Sequence, residues 1–403
     1  MSRRQTASVL ATTLLGTLDT TALLPVIAIY SIAVGADLFQ TGIIVGLYSA
    51  VHAPANFLFG RIVDRTGRRW PLRFGLAWDA VSLVLYAFAT TPLLLALVRV
   101  SHGIGGGFVG PSTMSLAAEG APPERRGRAM AYYGMVIALA FIVGTAMAVP
   151  IEVGLGFAGL FFVLAGALVA GLAISFAVRE PASLPAPPRG DWREALGFAR
   201  RREALGGYGA IFSLHLLQGA FVVLVALLIQ ERFGPALRGA SFTVYAIASM
   251  VAHYFGGTMA DRRGSAVPTI LGLVLVAIAM ALVPVVGNAG IFLALMALFG
   301  VGHGFVFPSA SALVARRAPP RVLGLVTGLF YAILVVGVAV GAPAMGAVAS
   351  ATSLSVGITL SAVLVIPGIL LAARALGISA ARPTTPLAGR PDPGSTNPGP
   401  PGG

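Results

Sequence analysis

The strongest constraint on this chain is the recurrence of apolar runs long enough to cross a lipid bilayer. A helix rises 1.5 Å per residue, so about 20 apolar residues traverse a hydrocarbon core about 30 Å thick. Twelve stretches qualify, at roughly 8–31, 40–60, 72–90, 92–118, 128–150, 154–178, 207–230, 239–260, 266–287, 289–315, 323–349 and 352–374. Composition points the same way: 57% of the residues are hydrophobic and 10% are charged, against about a quarter charged in a soluble domain. Such a chain cannot cover its surface with polar groups in water. Many runs contain Gly or Pro, which membrane helices tolerate. The expected fold class is therefore an all-α polytopic membrane protein with twelve transmembrane helices and the lipid bilayer as its solvent.

All 27 positive side chains are arginines, and their placement sets the expected orientation. Connections from an odd span to the next even one hold only Arg232 and Arg238, and Arg99 lies inside a span; the rest sit at the termini or at even-to-odd connections. By the positive-inside rule both termini are expected in the cytoplasm, in a multi-pass protein of the plasma (inner) membrane. Topology accounts for the net charge of +13, so no nucleic-acid partner is expected. The first apolar stretch follows Met1-Ser2-Arg3-Arg4 and runs to about Tyr30, too long for a signal core, which predicts an uncleaved first span. The absence of Cys excludes disulfides and thiol chemistry, and the absence of Lys excludes a side-chain Schiff base. No cofactor is expected.

The chain repeats itself at an offset of 197 residues. Gly60-Arg-Ile-Val-Asp64-Arg65-Thr-Gly67 falls on Gly257-Thr-Met-Ala-Asp261-Arg262-Arg-Gly264, and Gly107-Phe-Val-Gly-Pro111-Ser falls on Gly304-Phe-Val-Phe-Pro308-Ser. One offset without gaps implies two halves of six spans each, and an even number gives them the same orientation. Parallel halves are related by an axis along the membrane normal and place a binding site at their interface. Residues 1–178 form the first expected half and 207–376 the second. Between them, 179–206 is a Pro-rich linker with a surface helix from about Trp192, and 377–403 is a Pro/Gly/Ser/Thr tail expected to be disordered.

At Gly60 to Arg69 the sequence resembles the loop 2–3 signature of the major facilitator superfamily, and the second copy at Gly257–Gly264 adds to the likeness. Arg99-Val-Ser-His102-Gly103-Ile-Gly105 resembles the fourth-helix motif of its proton-coupled members, with His102 at a Gln position. Leu18-Asp19-Thr20-Thr21 with Pro25 is similar to a first-helix pattern of twelve-helix drug/proton antiporters. The Gly-Pro pair those antiporters carry in helix 5 is missing here; its nearest likeness is Gly337 to Pro343 in the eleventh span. The resemblance covers residues 1 to about 375. It implies the two-bundle facilitator fold, a monomer, small-molecule transport and gating roles for Gly60, Asp64, Arg65, Gly67 and Arg68, with Gly257, Asp261, Arg262 and Gly264 as the weaker copy. Asp64 would meet the other half or Arg125, Arg126 or Arg128 when the cytoplasmic side closes.

Residues inside the spans carry the remaining expectations. Asp19 lies mid-helix, where an ionisable group is functional by default, and is a candidate proton carrier. Arg99 needs a partner, and Asp19 and Asp79 lie at suitable depth; Asp79, on the third span, is expected to be its structural counter-ion. Arg99 and His102 join Asp19 as proton-coupling candidates. Tyr48, His52 and Asn56 share one face of the second span, and Tyr245, Ser249 and His253 share one face of the eighth at the same offset. With His215, Gln218 and His303 they are candidate cavity residues, alternatively helix–helix contacts. No close pair of histidines predicts a metal site. The expected function is export of small amphipathic compounds against protons, the alternative being a symporter or facilitator for a specific metabolite. No catalytic spacing and no phosphate loop suggest an enzyme.

Overall fold

The computed structural model describes residues 3–121, 125–180, 191–319 and 321–376. The elements are α1 (Arg3–Leu23), α2 (Ile27–Ala33), α3 (Leu38–Thr66), α4 (Arg69–Tyr86), α5 (Pro92–Glu119), α6 (Arg126–Ser175), α7 (Trp192–Ala199), α8 (Arg202–Ala220), α9 (Ala226–Arg263), α10 (Ala266–Leu282), α11 (Ala289–Ala315), α12 (Leu323–Ala351), α13 (Leu354–Ser361) and α14 (Ile366–Ala373). Seven helical stretches are long and apolar enough to cross a membrane, and α1 with α2, bent by 50° at the break around Pro25, makes an eighth. Two of the seven fold back at a glycine, Gly156 (φ 73°) and Gly234 (φ 76°), and each holds two spans. The more polar α3 and α4 complete the twelve. The expected surface helix is α7, and the tail from residue 377 lies outside the described residues.

Local chemistry sets several boundaries. Asp37 and Gln40 form a reciprocal capping box that starts α3. Thr91 caps α5 with Pro92 in its first turn. Gly67 ends α3 at φ 87° and Gly264 ends α9 at φ 82°. These two are 197 residues apart, and both hold a left-handed conformation that a side chain would strain.

The repeat continues into the packing. On α5, a methyl group added at Gly103 would meet Tyr48 and Val51, and one at Gly107 would meet Ala55. On α11, Gly300 meets Tyr245 and Ala248, and Gly304 meets Ala252, each pair at the 197 offset. Gly75 against Gly105, Phe108 and Val109 is matched by Gly272 against Gly302, Phe305 and Val306. The shared motif is a glycine stripe that lets two neighbouring backbones approach one central helix.

The start of α1 lies beside Arg179, past the end of α6, and the start of α8 lies beside Ala372 and Ala375 at the end of α14; these ends mark the terminal face, and the helices run from it alternately to the far face. Near the far face the halves meet tightly. A methyl at Gly42 of α3 would lie 2.4 Å from the carbonyl oxygen of Ala342 on α12, one at Gly46 2.9 Å from that of Ala339, and one at Gly346 2.6 Å from that of Leu38. Gly239 packs on Val149, and beside them Arg238 of α9 pairs with Glu152 of α6. On the terminal face, by contrast, the ion pairs among the described residues stay within one half: Arg68–Glu119 at 2.8 Å, Arg317–Glu203 at 2.8 Å, and Arg316–Asp261. Among the described residues, the closest backbone contacts between the halves are thus at the far face.

Candidate functional site

Three helices of the first half bring their polar residues together. Asp19 on α1 is 2% exposed, His102 on α5 is fully buried, and His102 Nε2 lies 2.9 Å from Asp19 Oδ2. His102 Nδ1 lies 3.2 Å from the hydroxyl of Tyr86 on α4, and that hydroxyl accepts from Arg99 Nη1 at 3.3 Å. Arg99 gives to Tyr86; with the Tyr86 proton on His102 Nδ1, a neutral His102 carries its own proton on Nε2 and donates to Asp19, while the hydroxyl can equally accept an Nδ1 proton. The backbone N–H of Thr20, at 2.7 Å, and its hydroxyl, at 3.2 Å, donate to Asp19 Oδ1. A carboxylate receiving these bonds is well held although it lies inside the membrane span.

Arg99 departs from expectation. Among the described residues it makes no ion pair with a carboxylate. Its Nε donates to the carbonyl of Ile44 at 3.1 Å and its Nη2 to that of Val45 at 3.1 Å, both on α3, and its guanidinium sits 5.0 Å from the centre of the Tyr48 ring. Carbonyl dipoles and an aromatic face replace the anion. Asp79 is therefore not its counter-ion. It lies instead beside the Asp19–His102 pair, with polar atoms of all three residues within 4.8 Å of one another.

Tyr48 and His52 belong to the same cluster. Their rings stack at 5.1 Å, and Tyr48 meets His102 edge-on at 4.9 Å. Asn56, one turn on, packs near Gly107 and Gly110 of α5, with its Oδ1 buried and unpartnered.

The second half gathers a different set. His303 of α11 is 6.0 Å, ring to ring, from both His215 of α8 and His253 of α9. Ser249 Oγ lies 2.9 Å from His303 Nδ1, and Tyr245 donates to Gln218 Oε1 at 3.3 Å. His215 and His253 each give their Nδ1 proton to a backbone carbonyl of their own helix, Ile211 and Ser249, which leaves Nε2 as a bare acceptor. Tyr245 also meets Phe141 of the first half at 5.4 Å. The offset of 197 puts Leu216, Val276, Val283, Met296 and Phe299 where the first half has Asp19, Asp79, Tyr86, Arg99 and His102. The repeated scaffold carries the charged network once.

Of the expected gating residues, Asp261 meets Arg316 within its own half, Arg68 meets Glu119, and Arg262 is exposed. Gly67 and Gly264 terminate their helices as described, and Gly257 has open space around its Cα. The side chains of Asp64 and Arg65 and the surroundings of Gly60 lie outside the described residues, as does that of Arg126; Arg128 turns to Tyr132.

A sequence profile described as the Major Facilitator Superfamily matches residues 9–236 and 207–399. The chain belongs to that superfamily. It is a membrane transporter and not an enzyme. The staphylopine export protein of Staphylococcus aureus is 24% identical over 77% of this chain and 82% of its own length. An uncharacterized transporter of the same type from Methanocaldococcus jannaschii is 32% identical over 30% of this chain, which spans only 31% of that relative. A bacterial homologue of the human lysosomal transporter Spinster, solved inward-facing and unoccupied, superposes with a TM-score of 0.78 over 93% of this chain and 96% of its own, at 14% identity.

Sequence reasoning missed two members of this transporter's polar framework. Tyr86, which links Arg99 to His102, forms with Asp79 and Ser82 an i, i+3, i+7 polar stripe on α4, so helical periodicity could have found it. The Glu152–Arg238 pair had no such signal, because its members lie 86 residues apart at unrelated positions of the two halves.

Proposed function

We propose that this superfamily member exports small amphipathic compounds in exchange for protons by alternating access. The observation that carries the reading is the buried Asp19–His102 hydrogen bond at 2.9 Å, joined through Tyr86 to an obligatory cation, Arg99. An ionisable pair in the hydrocarbon zone is retained for proton movement or for ligand contact. Protonating Asp19 removes the acceptor that His102 faces and loosens the α1–α5 link, so the proton biases the equilibrium between states. The aromatic and imidazole wall of the second half suits compounds with apolar bodies and hydrogen-bond donors. The name of the staphylopine export protein favours outward movement.

In this reading the terminal face, which carries most of the arginines, is cytoplasmic. The halves are residues 1–178 and 207–376, joined by 179–206, and the unit is a monomer. Asp64, Arg65 and Gly60, with Asp261, act at the cytoplasmic closure. Proton flux in inside-out vesicles tests the whole. A pH-sensitive dye should report deacidification when tetraphenylphosphonium is added, and Asp19→Asn should abolish the response. A response surviving in Asp19→Asn would remove Asp19 as carrier. Silence toward lipophilic cations, antibiotics and metabolites alike would turn the assignment to uptake.

A further inference from the structure

The polar cluster contains one acid that the chain of hydrogen bonds does not use. Asp79 is 1% exposed, and its Oδ1 has no hydrogen-bond partner. A methyl on Gly105 would come within 2.0 Å of that oxygen, so the carboxyl group occupies space that only a glycine on α5 leaves free. Its neighbours are known on every side. Asp19 faces it from α1, Arg99 and His102 belong to α5, Tyr48 and His52 come from α3, and Tyr86 shares α4. The stretch of α6 from Phe157 to Ser175, which packs on α4, holds no titratable residue.

A charge count follows from these neighbours. Arg99 is always a cation, and with His102 neutral an ionised Asp19 balances it. Those two charges cancel. A second carboxylate, less than 5 Å from the first and lacking a donor at Oδ1, would be an uncompensated buried anion beside a like charge, which is costly on both grounds. Asp79 in this state is a neutral acid. It is also near enough to the pair for its proton to matter. When Asp19 takes up a proton, the site gains a positive charge, and release of the Asp79 proton restores neutrality.

We propose that Asp79 is a second proton-carrying residue of the site, holding a proton while Asp19 is ionised and giving it up when Asp19 takes one up. No electrons move in this step; one proton leaves the Asp79 carboxyl as one arrives at Asp19. The inference rests on the proton-antiport reading, but its test does not need a substrate. Infrared difference spectroscopy on the purified full chain in lipid would follow the carbonyl stretch of protonated carboxyl groups as pH is stepped through the range where carboxyl and imidazole groups titrate. The expected result is a protonated-carboxyl band that shifts in heavy water, changes with pH, disappears in Asp79→Asn and is lost also in Asp19→Asn, where the neutral amide stands in for a protonated Asp19. A parallel titration of unbuffered protein should bind one proton more per chain in Asp79→Asn than in the parent, because no release from residue 79 offsets the proton taken up by Asp19.

A band that is absent from the parent, or present but unchanged by pH, would overturn the proposal and leave Asp79 as a packing residue. Gly105→Ala, which crowds the carboxyl without removing it, should move the band, and an unmoved band would also count against the assignment. If the Asp79 band titrates while tetraphenylphosphonium export proves independent of protons, the antiport reading fails and the proton site stands. If export is proton-coupled and the band is silent, the reverse holds.

Discussion

Arg238 has the most exposed energetic position in the molecule, because burial has left it one partner. It is fully buried, its Nε and Nη1 find no acceptor, and Nη2 meets only Glu152 across the boundary between halves. Glu152→Gln keeps the shape and deletes the counter-charge. Breaking a buried ion pair from one side costs about 3–5 kcal/mol. The Glu152 side chain retains 11% exposure, so water softens the loss and about 3 kcal/mol is the appropriate end of that range. In the alternating-access reading, opening the far face parts α6 from α9 and breaks the pair, which belongs to the closed state. The whole penalty therefore falls on that state, and at about 1.4 kcal/mol per factor of ten it shifts the equilibrium toward far-face opening about 150-fold. The chain has no native cysteine, so Ala339→Cys supplies a lone thiol at the α3–α12 seam. Its rate of reaction with a membrane-impermeant maleimide, added at the far face, should rise steeply in Glu152→Gln. Adding Arg238→Met removes the stranded cation and should bring the rate back toward the parent value. Unchanged labelling in Glu152→Gln, or a double variant that simply adds the two single effects, would refute the argument.

Three further outcomes follow from the same geometry. Tyr86→Phe removes the hydroxyl joining Arg99 to His102, at about 1–3 kcal/mol for the lost bonds to charged and buried groups; dye-reported proton flux should fall while thermal stability drops only modestly. Gly105→Ala places a methyl against the Asp79 carboxyl and should lower the melting temperature measured by tryptophan fluorescence, with about 1–3 kcal/mol of overpacking. Gly67→Ala forces a side chain into a left-handed turn, φ 87°, at about 1–2 kcal/mol, and Gly264→Ala should behave alike because its backbone matches.

The fold was largely readable because lipid permits few solutions. Apolar length pointed to twelve spans, although α3 and α4 are more polar than the rest, and the repeat at 197 residues is matched by the glycine contacts of both halves. Pro25 marks the break that splits the first span into α1 and α2, and the paired glycines at 67 and 264 end corresponding helices. In the site, Asp19 and His102 were legible as isolated polar residues in apolar runs. The partners of Arg99 were not. Backbone carbonyls of Ile44 and Val45 satisfy it, and a carbonyl acceptor leaves no trace in residue identity. That substitution also freed Asp79 from its expected duty. Depth along a helix put Arg99 and Asp79 at compatible heights but said nothing of azimuth, and azimuth decided the pairing. The grouping of His215, His253 and His303 was equally hidden, since it depends on three helices far apart in the chain.

The seam between α3 and α12 differs in kind from the ion pair beside it. Gly42, Gly46 and Gly346 bring their backbone against the carbonyl oxygens of Ala342, Ala339 and Leu38, with the Pro343 ring also beside Gly46. Such a surface resists separation only by contact area and lets one helix glide past the other without unthreading any group. It behaves as a bearing, and the neighbouring Glu152–Arg238 pair as the latch on it. In the alternating-access reading, the smoothness of the joint and the strength of the catch are set by different residues, so the ease of resetting and the dwell in one orientation can be tuned apart.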